Sequence, residues 1–569
     1  MKSIFTFVLL SFAMFLNAQN TLLIPDTLGG TNITLNLQNG TYQFYQGVNT
    51  TTMGANGNIL GPTLILEKGE QVSITVNNQL NDTTTIHWHG MHVSAANDGG
   101  PHTTIAPGAS WNPEFTVMDK AGTYWYHPHL HRKTNKHVSL GIAGMIIVKD
   151  EEEATLNLPR TYGVDDFPLV IQTKDFDDNR QIVVPSNSDD VVMVNATINP
   201  YLDVPAQVIR FRLLNGSSMR VFNIGLSDGS SFSLIGSDGG LLSEPATLTR
   251  LQLAPGERAE ILIDFSNMEG QSVQLRSFAS EFQNGIYGAA NPGMMSNMVL
   301  DGYNPNPLNG NNFDIISFNV GSQNDNPVTS IPTSLAADTP YPESSSDLTR
   351  NLTMSPEQMG PNQLNGNFLI NNTSFDMDVI NYTIPLNNTE IWSITNQSAI
   401  AHPFHIHDVQ FYVLDRNGNP PPAAEQGRKD VILIKPQETV RFITKFEDFA
   451  DDTVPYMFHC HMLIHEDGGM MLQFEVVSDP TGINDITATD EEVKLYPNPV
   501  VGNGVLNVIS KSDIKAYTVY DLMGREWVIK TNENRSKELK INTSALSPGI
   551  YFIHLKTVEG FKTMKFIKR

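Results

Sequence analysis

The chain has one cysteine, Cys460, in 569 residues. Disulfides within the chain are therefore excluded, and a lone thiol is an oxidation hazard unless something uses it. Basic residues are scarce too: 36 Lys+Arg stand against 60 Asp+Glu, a net charge of -24. A chain of that sign repels the phosphate backbone, so a nucleic-acid-binding role is not expected. Beyond the N-terminus no apolar run is long enough to span a bilayer as a helix. Helical periodicity is also rare.

What is present is a strand-and-turn pattern. Gln71 to Val76 alternates strictly, and Arg258 to Phe265 alternates less strictly. Such runs, rich in Val, Ile and Thr and broken by Gly, Pro, Asn and Asp, predict an all-β chain of sandwiches or barrels. At roughly 150 residues per domain, about four domains are expected. The N-terminus carries Lys2, an apolar stretch from Ile4 to Leu16 and the small-residue region Asn17-Ala18-Gln19. This reads as a secretory signal peptide over residues 1–19. Residues 20–150 form a first domain that ends where the acidic run Glu151-Glu152-Glu153 begins. A second covers 151–325 and a third 326–477. A polar, turn-rich linker over 478–491 follows, and then a tail over 492–569. That tail holds 13 basic and 7 acidic residues, a net of +6. The 23 basic and 53 acidic residues ahead of it give -30. The reversal marks a separate module.

The chemistry lies in the histidines. Random placement of 15 histidines would give about 0.4 His-x-His pairs, the false-positive rate a short motif must beat. The sequence has five: His87/His89, His127/His129, His129/His131, His405/His407 and His459/His461. On a strand, residues i and i+2 face the same way, so each pair offers two imidazoles side by side. Neutral imidazole suits copper, zinc, iron and nickel. One zinc needs three or four ligands, and the excess argues for a cluster of metals. Cys460 narrows the choice, because His465 and Met470 follow it at spacings of five and ten. A methionine alone is more often core packing. With a thiolate and imidazoles at this spacing, it describes a blue-copper electron-transfer site, His402 being the candidate second imidazole. If His459-Cys460-His461 is a strand, Cys460 faces one way and both histidines the other. One metal then lies on the cysteine side and a cluster on the histidine side, joined by a short covalent path.

Four motifs in order, His87-Trp88-His89-Gly90, Tyr126-His127-Pro128-His129, His402 to His407 and His459 to Met470, resemble the multicopper oxidase family, which includes copper-efflux oxidases, spore-coat laccases and bilirubin oxidases. The likeness runs from about Gly61 to Val477, with Arg212 to Gly216 and Ser237 to Gly240 resembling the middle domain. It implies three cupredoxin-like Greek-key β-sandwich domains and four copper ions. His402, Cys460, His465 and axial Met470 would hold type 1 copper, and His87 and His405 type 2. His89, His127, His129, His407, His459 and His461 would hold the type 3 pair. Asp98 matches the family acid near type 2 and Glu466 the acid near type 3, as proton sources for reducing O2 to water. His92, His102, His131, His137 and His554 match no ligand position.

The implied activity is one-electron oxidation of a small reducing substrate, a phenol or aromatic amine, coupled to four-electron reduction of O2. Cuprous, ferrous or manganous ions are the alternative donors, and a non-enzymatic copper-binding cupredoxin protein is the rival class. The efflux members carry an acid four residues before the first histidine of the His-Pro-x-His-x-His motif, where this chain has Ser398. Their methionine-rich insert in the third domain is replaced by scattered Met354, Met359 and Met377, while Met294, Met295 and Met298 lie in the second. These departures point away from a dedicated cuprous oxidase. In the tail, Tyr496-Pro497-Asn498-Pro499, Tyr520 to Arg525, Gly549-Ile550-Tyr551 and Lys565 to Arg569 resemble the small β-sandwich sorting domain of type IX secretion. That implies the type IX machinery as a partner, and export through the periplasm and across the outer membrane to the surface or medium.

Overall fold

The computed structural model describes residues 19–360, 362–478, 493–502, 504–521, 525–558 and 560–569. Most of the signal-peptide region, residues 1–18, and nearly all of the linker, residues 479–491, lie outside them. The chain divides after Val477 into two compact units.

The first unit is built of three pairs of facing sheets, and its described helices are few and short. In the first pair, Thr27–Gly29, Thr63–Glu67, Gly144–Lys149, Gly122–His127 and His87–His89 form one sheet. Asn32–Tyr45, Val48–Ala55, Gln71–Asn78 and Ser110–Trp111 form the other. The strict alternation of Gln71–Asn78 reappears as alternating burial, with Val72, Ile74 and Val76 in the core. That is the period-two signature of a sheet with one face covered.

The second pair contains the weaker alternator. Arg258–Asp264 is buried at every position except the last because it is central, paired to Val208–Asn215 on one side and Phe232–Ser237 on the other. Its charged positions survive burial by pairing: Glu260 bonds Arg210 and Arg212. Asn20–Thr21 pairs in parallel with Pro200–Tyr201 of this second sandwich rather than with the first. A sequence-based boundary at residue 20 does not convey that exchange.

In the third pair, His402–Ile406 lies between Val431–Ile434 and Asp451–Cys460. The second unit is an antiparallel five-stranded sheet of Val493–Tyr496, Val505–Asp521, Glu526–Asn542, Gly549–Thr557 and Gly560–Lys568. It has its own core, which includes Leu506, Val508, Val519, Ile553, Leu555 and Phe566. No described helix is long and apolar enough to cross a membrane.

Candidate metal centres

Two antiparallel strand pairs carry the histidines inward. His127 registers opposite His87, and Trp125 opposite His89. In the third sandwich His405 registers opposite His459 and Phe404 opposite Cys460. Eight imidazoles from His87, His89, His127, His129, His405, His407, His459 and His461 converge there, all buried. They sort into three sets. His89 Nδ1 lies 3.4 Å from His127 Nε2 and 3.2 Å from His461 Nε2. His129 Nε2 lies 3.1 Å from His459 Nε2 and 3.2 Å from His407 Nε2. His87 Nε2 and His405 Nε2 are buried with no protein partner. Each three-histidine set draws on both the first and the third sandwich, so the cluster exists only at their interface.

The tautomers follow from the acceptors. A carbonyl oxygen only accepts, so each imidazole nitrogen facing one carries the proton and the other is bare. His87 Nδ1 donates to the Asp98 carbonyl at 2.9 Å, His127 Nδ1 to that of Pro128 at 2.9 Å and His405 Nδ1 to that of Asp430 at 2.8 Å. His459 Nδ1 donates to the Cys460 carbonyl at 3.1 Å. Bare nitrogens therefore face the interior of the cluster. Burial, reinforced by mutual repulsion, holds His89, His127, His129, His405, His407 and His461 well below the ordinary imidazole pKa. Burial takes His459 to about 3. Neutral imidazoles with inward lone pairs 3.1–3.4 Å apart repel unless a cation lies among them, so this donor set fits metal ions.

The second site is built on Cys460. Its Sγ lies 3.5 Å from His402 Nδ1 and 3.6 Å from His465 Nδ1. The short helix Leu463–Asp467 carries His465. Met470 is fully buried in the same apolar cluster as Cys460. Its carbonyl accepts from Cys460 N at 3.0 Å and its amide donates to the His465 carbonyl at 2.9 Å. Burial pushes the Cys460 thiol well up. A thiolate there needs a compensating cation, and the thiolate–imidazole–thioether set suits copper. The outer nitrogen of His402 meets the Ser398 hydroxyl at 2.8 Å. The Phe368 ring lies 4.7 Å from that of His402 and 4.5 Å from that of His465.

Cys460 ends its strand, so His459 points into the histidine cluster while Cys460 points into the other site. His461, just past the strand end, also enters the cluster. Asp98 and Glu466 both lie at the cluster. Asp98 Oδ2 accepts from His407 Nδ1 at 2.8 Å, and Oδ1 lies 3.2 Å from His87 Nδ1. Gly99 makes this approach possible: at φ +80° a Cβ would stand 1.7 Å from the Ile86 carbonyl oxygen. Glu466 places Oε1 3.5 Å from His129 Nδ1 and Oε2 3.4 Å from His459 Nδ1. Burial, with Asp467 beside it, raises its pKa well above the carboxylate range.

The five remaining histidines join none of these sets. His92 bridges Asp408 at 2.8 Å and Asp448 at 3.1 Å. His102 meets Gln473 Oε1, His137 meets Thr84 Oγ1 and His554 meets Thr563 Oγ1. His131 packs on Phe375. Sequence reasoning missed Asp430, whose Oδ1 accepts from His89 Nε2 at 3.0 Å. The only cue was a Lys-Asp pair opening the apolar run Val431–Ile434.

Residues 36–153 and 341–480 match family models described as multicopper oxidase. Multicopper oxidase mco of Staphylococcus haemolyticus is 36% identical over 465 residues, covering 80% of this chain and 90% of the relative. The chain belongs to the multicopper oxidase family. It is thus an oxidoreductase with copper as its metal. Two solved multicopper oxidases superpose on it. The laccase-like CueO of Ochrobactrum sp., with activity towards lignin model compounds, has a TM-score of 0.70 at 32% identity, covering 80% of this chain and all of its own. A multicopper oxidase of Campylobacter jejuni described as a metallo-oxidase has a TM-score of 0.68 at 28% identity, covering 81% and 96%. Residues 494–569 match a secretion system C-terminal sorting domain, as the tail motifs imply.

Proposed function

We propose that the protein couples one-electron oxidation of a small donor at the Cys460 site to four-electron reduction of O2 to water at the histidine cluster. The observation that carries this reading is the placement of Cys460 in one donor set and of its neighbours His459 and His461 in the other. His402, Cys460, His465 and Met470 hold type 1 copper in this account. His87 and His405 hold type 2, and the two three-histidine sets hold one type 3 copper each. When bound, the four coppers supply the one-electron carriers and the centre at which O2 accepts electrons. The backbone from Cys460 to His459 and His461 is the covalent route between the sites. The Asp98 carboxylate, on His407, and the Glu466 carboxyl, between His129 and His459, are the acidic groups beside the cluster that relay protons for the water formed.

The proposed donor is a phenol or aromatic amine. Ser398, a neutral hydroxyl, occupies the outer nitrogen of His402, and Phe368 offers both type 1 imidazoles an aromatic neighbour. A second reading, oxidation of cuprous ion, is favoured by one observation that sequence separation concealed. Met294 and Met295 are 41% and 53% exposed on a loop whose Met294 amide donates to the Ala399 carbonyl, next to the type 1 loop. Asn365, in the segment after the 82%-exposed Met359, bonds Asp301 of the same loop region. Thioethers are soft ligands suited to Cu(I). Steady-state kcat/KM for a phenol, an aromatic diamine, ferrous ion and cuprous ion decides. The proposal expects the organic donors to lead, and a dominant cuprous rate would establish the second reading.

The tail is proposed to address the enzyme across the outer membrane. Deleting Glu492–Arg569 is expected to leave oxidase activity and melting temperature of the first unit unchanged, since every ligand and every sandwich strand precedes Ser478. The same deletion is expected to block release in a host with the export system. Fractionation and activity assays on both forms check this, and loss of activity with normal localisation would contradict it.

A further inference from the structure

Residues 151–325 contain no histidine and no cysteine, yet the middle sandwich meets the cluster and its supports, at Gly256 and above all at Arg258. Arg258 is fully buried, and all five of its guanidinium donors are used. Nε donates to the Thr123 carbonyl of the first sandwich at 3.2 Å. Nη1 donates to the Gly256 carbonyl at 3.0 Å and Nη2 to the Asp238 carbonyl at 2.9 Å, both in the second sandwich. The two remaining donors form a fork on Asp430 of the third, at 2.7 Å to Oδ1 and 2.5 Å to Oδ2.

Asp430 holds one cluster histidine from each side of the interface. Its Oδ1 accepts from His89 Nε2 at 3.0 Å and its carbonyl from His405 Nδ1 at 2.8 Å. The rings of these two histidines stack at 3.8 Å. Gly256 touches a third: at φ +85° a Cβ there would stand 2.9 Å from Cγ of His461. The Asp430 side chain thus receives two of its three donors from the guanidinium. Around the fork, Asp238 Oδ1 accepts from Arg258 N at 2.7 Å, and Lys429 bridges Asp238 and Glu257 at 2.9 Å each. The network is buried throughout.

We infer that Arg258 is a positioning residue for the histidine cluster: acting through Asp430 and Gly256, it sets His89, His405 and His461 in register across the joint of the three sandwiches. This rests on the proposed assignment of those histidines as copper ligands. A planar fork fixes a carboxylate in both position and rotation, which an ammonium does not. Lysine therefore keeps the charge and loses the registry.

The test compares copper-loaded wild type, Arg258→Lys, Arg258→Gln and a control, Arg220→Lys. Arg220 is an equally buried arginine paired to Asp189 at 2.7 Å, and its guanidinium hydrogen bonds go to Asp189 and Asn309, not to a histidine or to Asp430. Copper per chain, the blue absorption and the electron paramagnetic resonance spectrum are measured. Both Arg258 variants are expected to stay blue while losing the type 2 signal, with affinity for that copper down about 10- to 100-fold, the usual effect of removing support behind a metal ligand. Arg220→Lys is expected to keep the full complement. An unchanged type 2 signal in both Arg258 variants, an equal loss in Arg220→Lys, or failure of both Arg258 variants to fold would each overturn the inference. A wild type that binds a single copper would overturn the ligand assignment and the inference with it.

Discussion

Cys460→Ser is expected to be colourless and to oxidise no donor above the rate of the copper-free protein, while keeping the copper of the histidine cluster. Serine is nearly isosteric, so the apolar packing around residue 460 persists. The hydroxyl, however, does not ionise readily and is a hard ligand, so the soft thiolate contribution disappears. The covalent electron route begins at the sulfur, and its loss isolates the cluster from the donor. The imidazoles of His459 and His461 are untouched, since they point into a different donor set. Visible absorption, copper analysis and a donor assay on one preparation check all three statements. Donor oxidation at the parental rate would show that electrons enter elsewhere.

Asp98→Asn is expected to lower turnover about 10- to 100-fold, in line with the effect of disturbing groups that orient metal ligands, without changing the colour. The carboxylate accepts from His407 Nδ1 at 2.8 Å and lies 3.2 Å from His87 Nδ1, so one group serves two donor sets. An amide keeps the shape but carries no charge and cannot take up and release a proton as a carboxylate does. The type 1 site does not touch Asp98. Donor should therefore bleach the blue colour at the normal rate without O2, and recovery on admitting O2 should be slow. Normal recovery, or slow bleaching, would remove Asp98 from the oxygen-reducing half of the reaction.

Much of the site is legible in sequence because the strand period is two. His-x-His puts two imidazoles on one face, and a cysteine between two histidines must point away from them, so two sites could be anticipated from His459-Cys460-His461 alone. What local spacing cannot convey is which histidines share a set. His129 meets His459 across 330 residues, and that partnership depends on how the first sandwich packs on the third. The same limit hid Asp430 and Arg258. Arg258 lies at the charged start of its strand and Asp430 just ahead of the next sandwich's strand, and each reads as an ordinary surface charge until its partner, 172 residues away, is in place. Met294 likewise looks scattered until the hydrogen bond from its amide to the Ala399 carbonyl brings its loop beside the type 1 loop. The imperfect alternation of Arg258–Asp264 has the same origin: a central strand buried on both faces has no solvent side to mark.

The most direct test of the account is the copper content and spectrum of the full chain loaded with copper. Two linked sites, one around Cys460 and one of eight histidines, predict four coppers per chain, an intense blue absorption and a separate type 2 paramagnetic signal. A single copper per chain, or zinc retained in place of copper with no blue colour, would contradict it.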